Sequence, residues 1–325
     1  MKAKALIVIA LCLLGATFVL GQRGGGGGRQ DQPPPPLFTL APDIPGVVKG
    51  GTKVELIKEG FMGAQGATQA PDGSLLFTER MANRITKIDK DGNISSYMEG
   101  TSATNSFSFD SKGRAIGVQW MPAGVAVLAP TKVSLADQFE AHGFGRPNDL
   151  TIDKKGGVYF TDDLGIPENM IKPAVYYVKP TGGVIKIADD IARPNGLVLS
   201  PDERTLYVLD TNGDALKAFD VQADGTARNE RTFATITAGV RKTDTGTNSG
   251  ADGGAIDGAG RLYVTSNAGV QVFSPKGEYL GTIPTPRQSQ NLAFAGPDKK
   301  TLYVLGGNAV YKVQMLAEGY KGRAK

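Results

Sequence analysis

Short apolar runs, each cut by a turn bearing Asp and in most copies Gly, set the rhythm of this chain. Within residues 145–162, Leu150-Thr151-Ile152 leads into Asp153-Lys154-Lys155-Gly156-Gly157, and Val158-Tyr159-Phe160-Thr161 follows. The turn offers side chains that hydrogen-bond their own backbone and glycines that accept positive φ, so the segment predicts a β-hairpin. The pattern returns around Asp72, Asp110, Asp202, Asp257 and Asp298, a period of about 40 to 55 residues. Repeats of that size are propeller blades, small antiparallel sheets that cannot bury their faces alone. Six copies predict an all-β chain folded as a six-bladed β-propeller. Ala82 to Gly92, Ala215 to Asp220 and Gly269 to Ser274 alternate as further strands, and almost nothing carries a helical period. Val54-Glu55-Leu56-Ile57 precedes the first hairpin and is predicted to pair with Val310-Tyr311-Lys312-Val313. That pairing would close the ring and hide two sheet edges.

The same register gives the first chemical signal. At the start of the strand before each turn stand Gln65, Asn105, Asn148, Asn195, Asp252 and Asn291, each followed by small or apolar residues. In a propeller the innermost strands run along the central channel, so these positions form a ring at one mouth. Every member carries a side-chain oxygen. One Asn or Asp at a strand start merely caps a loop. Six in one register suit a hard divalent cation, calcium first among them, which takes six to eight oxygens at flexible geometry.

Met1-Lys2-Ala3-Lys4 and the apolar run to Leu20 read as a secretory signal over residues 1–21, too short and wrongly flanked for a membrane span. The expected location is therefore secreted or periplasmic, with no membrane partner after cleavage. Cys12 is the only cysteine and leaves with the signal, so the mature chain has neither a disulfide nor a thiolate nucleophile. Residues 22–43, rich in Gly and Pro, are expected to be a disordered linker, with the propeller over 44–325. The formal charge of +4 falls to +2 on loss of Lys2 and Lys4, and the basic residues are scattered, which gives no support to nucleic-acid binding. Residues 164–173 and 243–250 interrupt the rhythm, either as lids over the mouth or as tolerated surface loops.

Arg146-Pro147-Asn148-Asp149, Arg193-Pro194-Asn195-Gly196-Leu197 and Ala251-Asp252-Gly253, each ahead of its turn, resemble the gluconolactonase, regucalcin and luciferin-regenerating-enzyme family. The resemblance spans roughly residues 50–315 and implies a six-bladed propeller, a divalent metal at the channel mouth and hydrolysis of lactones, or in some relatives of organophosphates. It implies Asn195 and Asp252 as metal ligands and Asn148 as a ligand of metal or substrate. Asp252 is further implied as base or nucleophile, and Arg146 as a holder of a substrate oxygen. Where the family usually reads Glu-Gly-Pro, this chain has Gln65-Gly66-Ala67. Glutamine keeps the carbonyl ligand and removes a charge, so a weaker calcium site is expected.

The expected chemistry is metal-assisted hydrolysis of a small lactone or sugar-derived ester by a monomer. The metal would polarise the carbonyl and Asp252 or the adjacent Asp149 would take a proton from water. Asn105 and Asn291 would line the mouth. The single histidine, His142, excludes a histidine dyad and a His-rich zinc site, and reads as a solvated loop residue. No Gly-x-Ser-x-Gly elbow is present. Glu79, Asp162 and Asp210 close second strands and are expected to fix turns. The rival readings are a non-catalytic secreted propeller, either a scaffold or a ligand-binding module, which the loss of charge at Gln65 favours, and a strictosidine-synthase-like or phosphotriesterase-like enzyme.

Overall fold

The computed structural model describes residues 36–166, 171–244 and 246–323. The expected signal segment, most of the expected linker, and residues 167–170 and 245 of the two interrupting loops lie outside the described residues. Six sheets stand around one axis, five of four strands and one of five. Blade 1 runs outward as Ala64–Gln69, Leu75–Glu79, Arg84–Ile88 and Ile94–Glu99. The innermost strands of blades 2 to 6 are Ser106–Phe109, Pro147–Ile152, Pro194–Leu199, Gly254–Ile256 and Asn291–Ala295. Successive innermost strands touch one another all the way round, blade 6 against blade 1 included.

The apolar runs are continuous because each blade is covered on both faces. Alternate residues of a strand go to alternate neighbours. Tyr159 packs with blade 4, against Leu197 and Leu206, whereas Phe160 packs with blade 2, against Ile116 and Val118. In blade 1, Leu75 and Phe77 meet Ala293 and Leu305 of blade 6, while Leu76 meets Phe107 of blade 2. The core is thus six clusters, one at each blade interface, rather than a single centre. Each fully buried large apolar side chain contributes roughly 1.5–3 kcal/mol.

The predicted closure holds. Lys53–Glu59 pairs antiparallel with Ala309–Gln314, setting Glu55 opposite Lys312 and Leu56 opposite Tyr311. Described secondary structure lies ahead of residue 44 as well. Phe38–Leu40 adds a fifth strand outside Lys53–Glu59, and Thr39 Oγ1 donates to the Pro284 carbonyl of blade 5. A three-residue strand has no periodicity of its own; its partner supplies the pairing.

Candidate functional site

All six ring residues lie at one end of the channel, where the innermost strands begin, and glycines let those strands close on one another. A Cβ on Gly196 would lie 2.1 Å from the Asp252 carbonyl, and one on Gly66 would lie 2.7 Å from the Asn105 carbonyl. Threonines within or just after the second strands tie the blades at the same level. Thr78 donates to the Asn105 carbonyl (2.8 Å), Thr161 to that of Asn195 (2.6 Å) and Thr211 to that of Ala251 (2.6 Å). The ring is therefore positioned by backbone contacts, leaving the side chains available.

They are used unequally. Asn291 Oδ1 accepts from the backbone N–H of Ala67 (3.0 Å) and of Leu292 (3.1 Å), which commits it to joining blades 6 and 1. Asn105 Nδ2 donates to the Asn148 carbonyl (2.8 Å) and to Asn148 Oδ1 (3.0 Å), so these two residues hold each other. Asn195 Nδ2 donates to Thr211 Oγ1 (2.9 Å), while its Oδ1 is buried without a partner among the described residues. Gln65 Oε1 is likewise buried and unpartnered. Two buried amide oxygens with nothing to accept from are costly, since each has lost water without replacing it.

Between them lies the carboxylate. Asp252, partly open to solvent, lines a cleft of about 360 Å³ with Asn195, Arg193, Thr211, Asn248 and Gln290. Desolvation of its carboxyl and the neighbouring Asp149 charge push its pKa up to about 7, against the opposing pull of Arg193 and a hydrogen bond from the Gln65 side chain. Asp149 is buried, and its Oδ1 accepts from Ser106 Oγ (2.6 Å) and the Leu150 N–H (2.9 Å). Among the described residues no three His, Cys, Asp or Glu side chains gather as a metal-binding group. The donor set that fits a cation is instead Gln65 Oε1, Asn195 Oδ1 and the Asp252 carboxylate, all hard oxygens, which suits calcium better than zinc.

Arg146 is engaged differently from what its sequence position suggests. It forks onto Asp163, Nε to Oδ1 and Nη2 to Oδ2, both at 2.6 Å. Arg193 Nε shares Asp163 Oδ2 at 3.0 Å. The buried Asp163 thus joins the two arginines of the repeated Arg-Pro-Asn motifs. Strand-closing acids aim these loops as expected: Asp162 accepts the Arg146 N–H (2.7 Å), Asp210 the Arg193 N–H (3.0 Å) and Glu79 the Met62 N–H (2.9 Å). Burial raises the Asp162 pKa against the pull of the N–H groups it accepts. Sequence reasoning missed Asp163, and it missed Arg193 even though the Arg-Pro-Asn repeat makes it the counterpart of Arg146.

His142 is exposed, in a short two-stranded pairing of Gln138–Phe139 with His142–Gly143, beside a separate cleft bordered by Phe139, Phe144 and Tyr176. It lies apart from the Asp252 cleft. Of the two interrupting loops, residues 243–250 contribute Asn248 and Gly250 to that cleft's wall. A second cavity of about 360 Å³ lies at the turn end of the strands, bordered by Asp110, Asp153, Lys299 and Arg323.

The family model described as SMP-30/Gluconolactonase/LRE-like region matches residues 55–307. The gluconolactonase of Zymomonas mobilis subsp. mobilis is 28% identical over 307 residues, 84% of either chain. Among solved structures, a gluconolactonase from Xanthomonas campestris superimposes with a TM-score of 0.72 at 24% identity, covering 87% of this chain and 99% of its own. Regucalcin from Agrobacterium tumefaciens, described as a calcium-binding protein, does so with a TM-score of 0.67 at 17% identity, covering 83% and 98%. These likenesses agree with the six-bladed architecture, and the family match takes in all six ring positions: the chain belongs to the SMP-30/gluconolactonase/LRE-like family.

Proposed function

We propose that this propeller hydrolyses a lactone at the Asp252 end of its channel. The observation that carries the reading is a carboxylate made basic by its surroundings, facing a cleft and set beside two buried amide oxygens that have no donor. A base whose pKa lies near neutrality balances its unprotonated fraction against its strength. Asp252 takes a proton from water as that water adds to the lactone carbonyl carbon. The ring C–O bond then breaks, the proton passes to the departing alkoxide, and a hydroxy acid is released. Asp149, fixed by Ser106 and the Leu150 N–H, keeps a negative charge near Asp252 and so sustains its basicity. A divalent cation held by Gln65, Asn195 and Asp252 would polarise the carbonyl and stabilise the oxyanion, and its charge would lower the Asp252 pKa from the value set by the protein alone. Relatives named gluconolactonases support a small sugar lactone as substrate.

The test is hydrolysis of a panel of aldonolactones by the mature protein, in calcium and then in chelator, with Asp252→Asn alongside. Turnover that disappears in chelator and falls about 10²–10⁴-fold in the variant is the expected result. Turnover indifferent to both would remove Asp252 from the chemistry. Absence of turnover with calcium still bound would favour a ligand-binding propeller, the reading suggested by the lost charge at Gln65.

A further inference from the structure

Arg80, Trp120, Arg146 and Arg193 stand at the mouth end of four consecutive blades. Arg80 follows the second strand of blade 1, and Trp120 ends the second strand of blade 2. Trp120 is fixed by its indole N–H, which donates to the Pro147 carbonyl of blade 3 at 2.8 Å. The Arg80 guanidinium lies 3.6 Å from the centre of the Trp120 ring, and that of Arg146 lies 5.3 Å from it, both within cation–π range. Arg146 and Arg193 divide one carboxylate between them, Asp163. Arg80 has none. Among the described residues its guanidinium makes no ion pair, and its Nε is buried without a hydrogen-bond partner.

A half-buried, desolvated guanidinium next to a second cation is an expensive arrangement to leave unpaired. Burial and the Arg146 charge pull its pKa down and the Asp163 charge offsets them only in part, so the cation is disfavoured where it stands. A stacked, planar fork of N–H donors suits a carboxylate or phosphate, which it can hold by two parallel bonds. The aromatic face beneath it fixes the plane of the fork in advance, cutting the ordering cost of binding.

We propose that Arg80, stacked on Trp120, receives an anionic group carried by the substrate, so that the preferred lactone bears a carboxylate or phosphate away from its scissile carbonyl. This rests on the lactonase reading of the Asp252 site and narrows its substrate class. Arg146 and Arg193, neutralised in part by Asp163, would steer the same group electrostatically without being its ligands.

The test compares kcat/KM for glucono-lactone, which is neutral, glucaric acid monolactone, which bears a carboxylate, and 6-phosphogluconolactone. The protein is expected to prefer at least one anionic lactone over the neutral one by tenfold or more. Arg80→Gln should reduce that anionic-to-neutral ratio at least tenfold, chiefly through KM. Arg80→Lys, which keeps the charge and loses the planar fork, should restore only part of it. The two anionic arms tell carboxylate from phosphate. Turnover of glucono-lactone at equal or better kcat/KM, or a ratio unmoved in Arg80→Gln, overturns the anion site and leaves the lactonase reading intact. No turnover of any of the three overturns both. If Arg80→Gln fails to fold, Trp120→Leu takes its place, with the same loss of ratio expected from the unstacked guanidinium.

Discussion

At the channel mouth Gln65 of blade 1 pulls down the raised pKa of Asp252 of blade 5, while Gln65 Oε1 stays buried with no hydrogen-bond partner among the described residues. The amide donation steadies the Asp252 charge, and the idle oxygen is the more natural cation ligand. Replacing the amide by a carboxylate removes the donation and adds charge beside Asp252 and Asp149. Gln65→Glu is therefore expected to bind calcium about tenfold more tightly, or about 1.4 kcal/mol, and to lower the melting temperature of the metal-free protein through carboxylate repulsion. Titration calorimetry and thermal melts in calcium and in chelator read both effects. An unchanged calcium affinity would mean that Gln65 and Asp252 do not share a cation.

Gly196 permits the close approach that aims Asp252. Its backbone φ is ordinary, so the demand is for space alone: an added Cβ would lie 2.1 Å from the Asp252 carbonyl and 2.9 Å from Leu209 Cδ1. The backbone oxygen cannot rotate away as a side chain would. Gly196→Ala should then push blades 4 and 5 apart at the ring, costing about 1–3 kcal/mol as overpacking does and lowering kcat more than KM by displacing the base. Gly156→Ala serves as the contrast, because a Cβ there meets nothing within 4 Å and only its φ of +88° is strained. Equal losses of kcat in the two variants would count against the steric account.

Lys299 offers a pH signature at the far end of the channel. Its amine is buried and donates to the carbonyls of Tyr320 (2.7 Å) and Arg323 (2.5 Å), with no carboxylate beside it among the described residues. Burial, together with the Arg323 and Lys321 charges, lowers its pKa to about 8. Below pH 8 both folded and unfolded chains carry the proton, and folding bears the whole cost of burying it. Between about 8 and the ordinary 10.5 the folded chain sheds the proton while the unfolded chain keeps it, so this group makes stability rise with pH. Urea unfolding of wild type and Lys299→Met at pH 7.5 and pH 10 isolates the effect, since tyrosines titrating in that range cancel between them. Wild type should gain about 2 kcal/mol on the variant; a flat difference would show the amine to be solvated.

Much of this architecture is legible in the chain. The six Asp-bearing turns mark the hairpins because turn chemistry is local, and the ring positions follow because the blades share one register. What each ring member does is not local. Asn291 is tied up by Ala67, which blade closure alone brings near, whereas Asn195 is left with a free oxygen because Thr211 takes only its amide nitrogen. Identical residue types in one register thus divide into joints and candidate ligands. Asp163 was hidden for a similar reason: its role depends on two arginines from adjacent blades converging on it. Arg80 and Trp120 are unremarkable as letters and acquire meaning only as a stack.

The earliest described strand supplies the final prediction. Phe38–Leu40 covers the outer edge of Lys53–Glu59, with Ala41 N–H donating to the Thr52 carbonyl at 2.8 Å and Leu56 N–H to that of Leu37 at 3.1 Å. Ala41, Ile44, Val47 and Val48 then bury themselves in the cluster between blades 5 and 6, so the segment packs as well as pairs. Removing residues 1–43 should uncover that edge while leaving the ring closed by Lys53–Glu59 against Ala309–Gln314. The expected outcome is a folded protein with a lower melting temperature and a new tendency to associate through the bare edge. Removing residues 1–60 takes away the closing strand itself and exposes the outer edge of Ala309–Gln314, a cooperative element of the ring, and should abolish the native unfolding transition. Calorimetry and light scattering on the two truncations decide the matter. If the longer truncation melted like the shorter, closure by the first strands would not be what holds blade 6 in the ring.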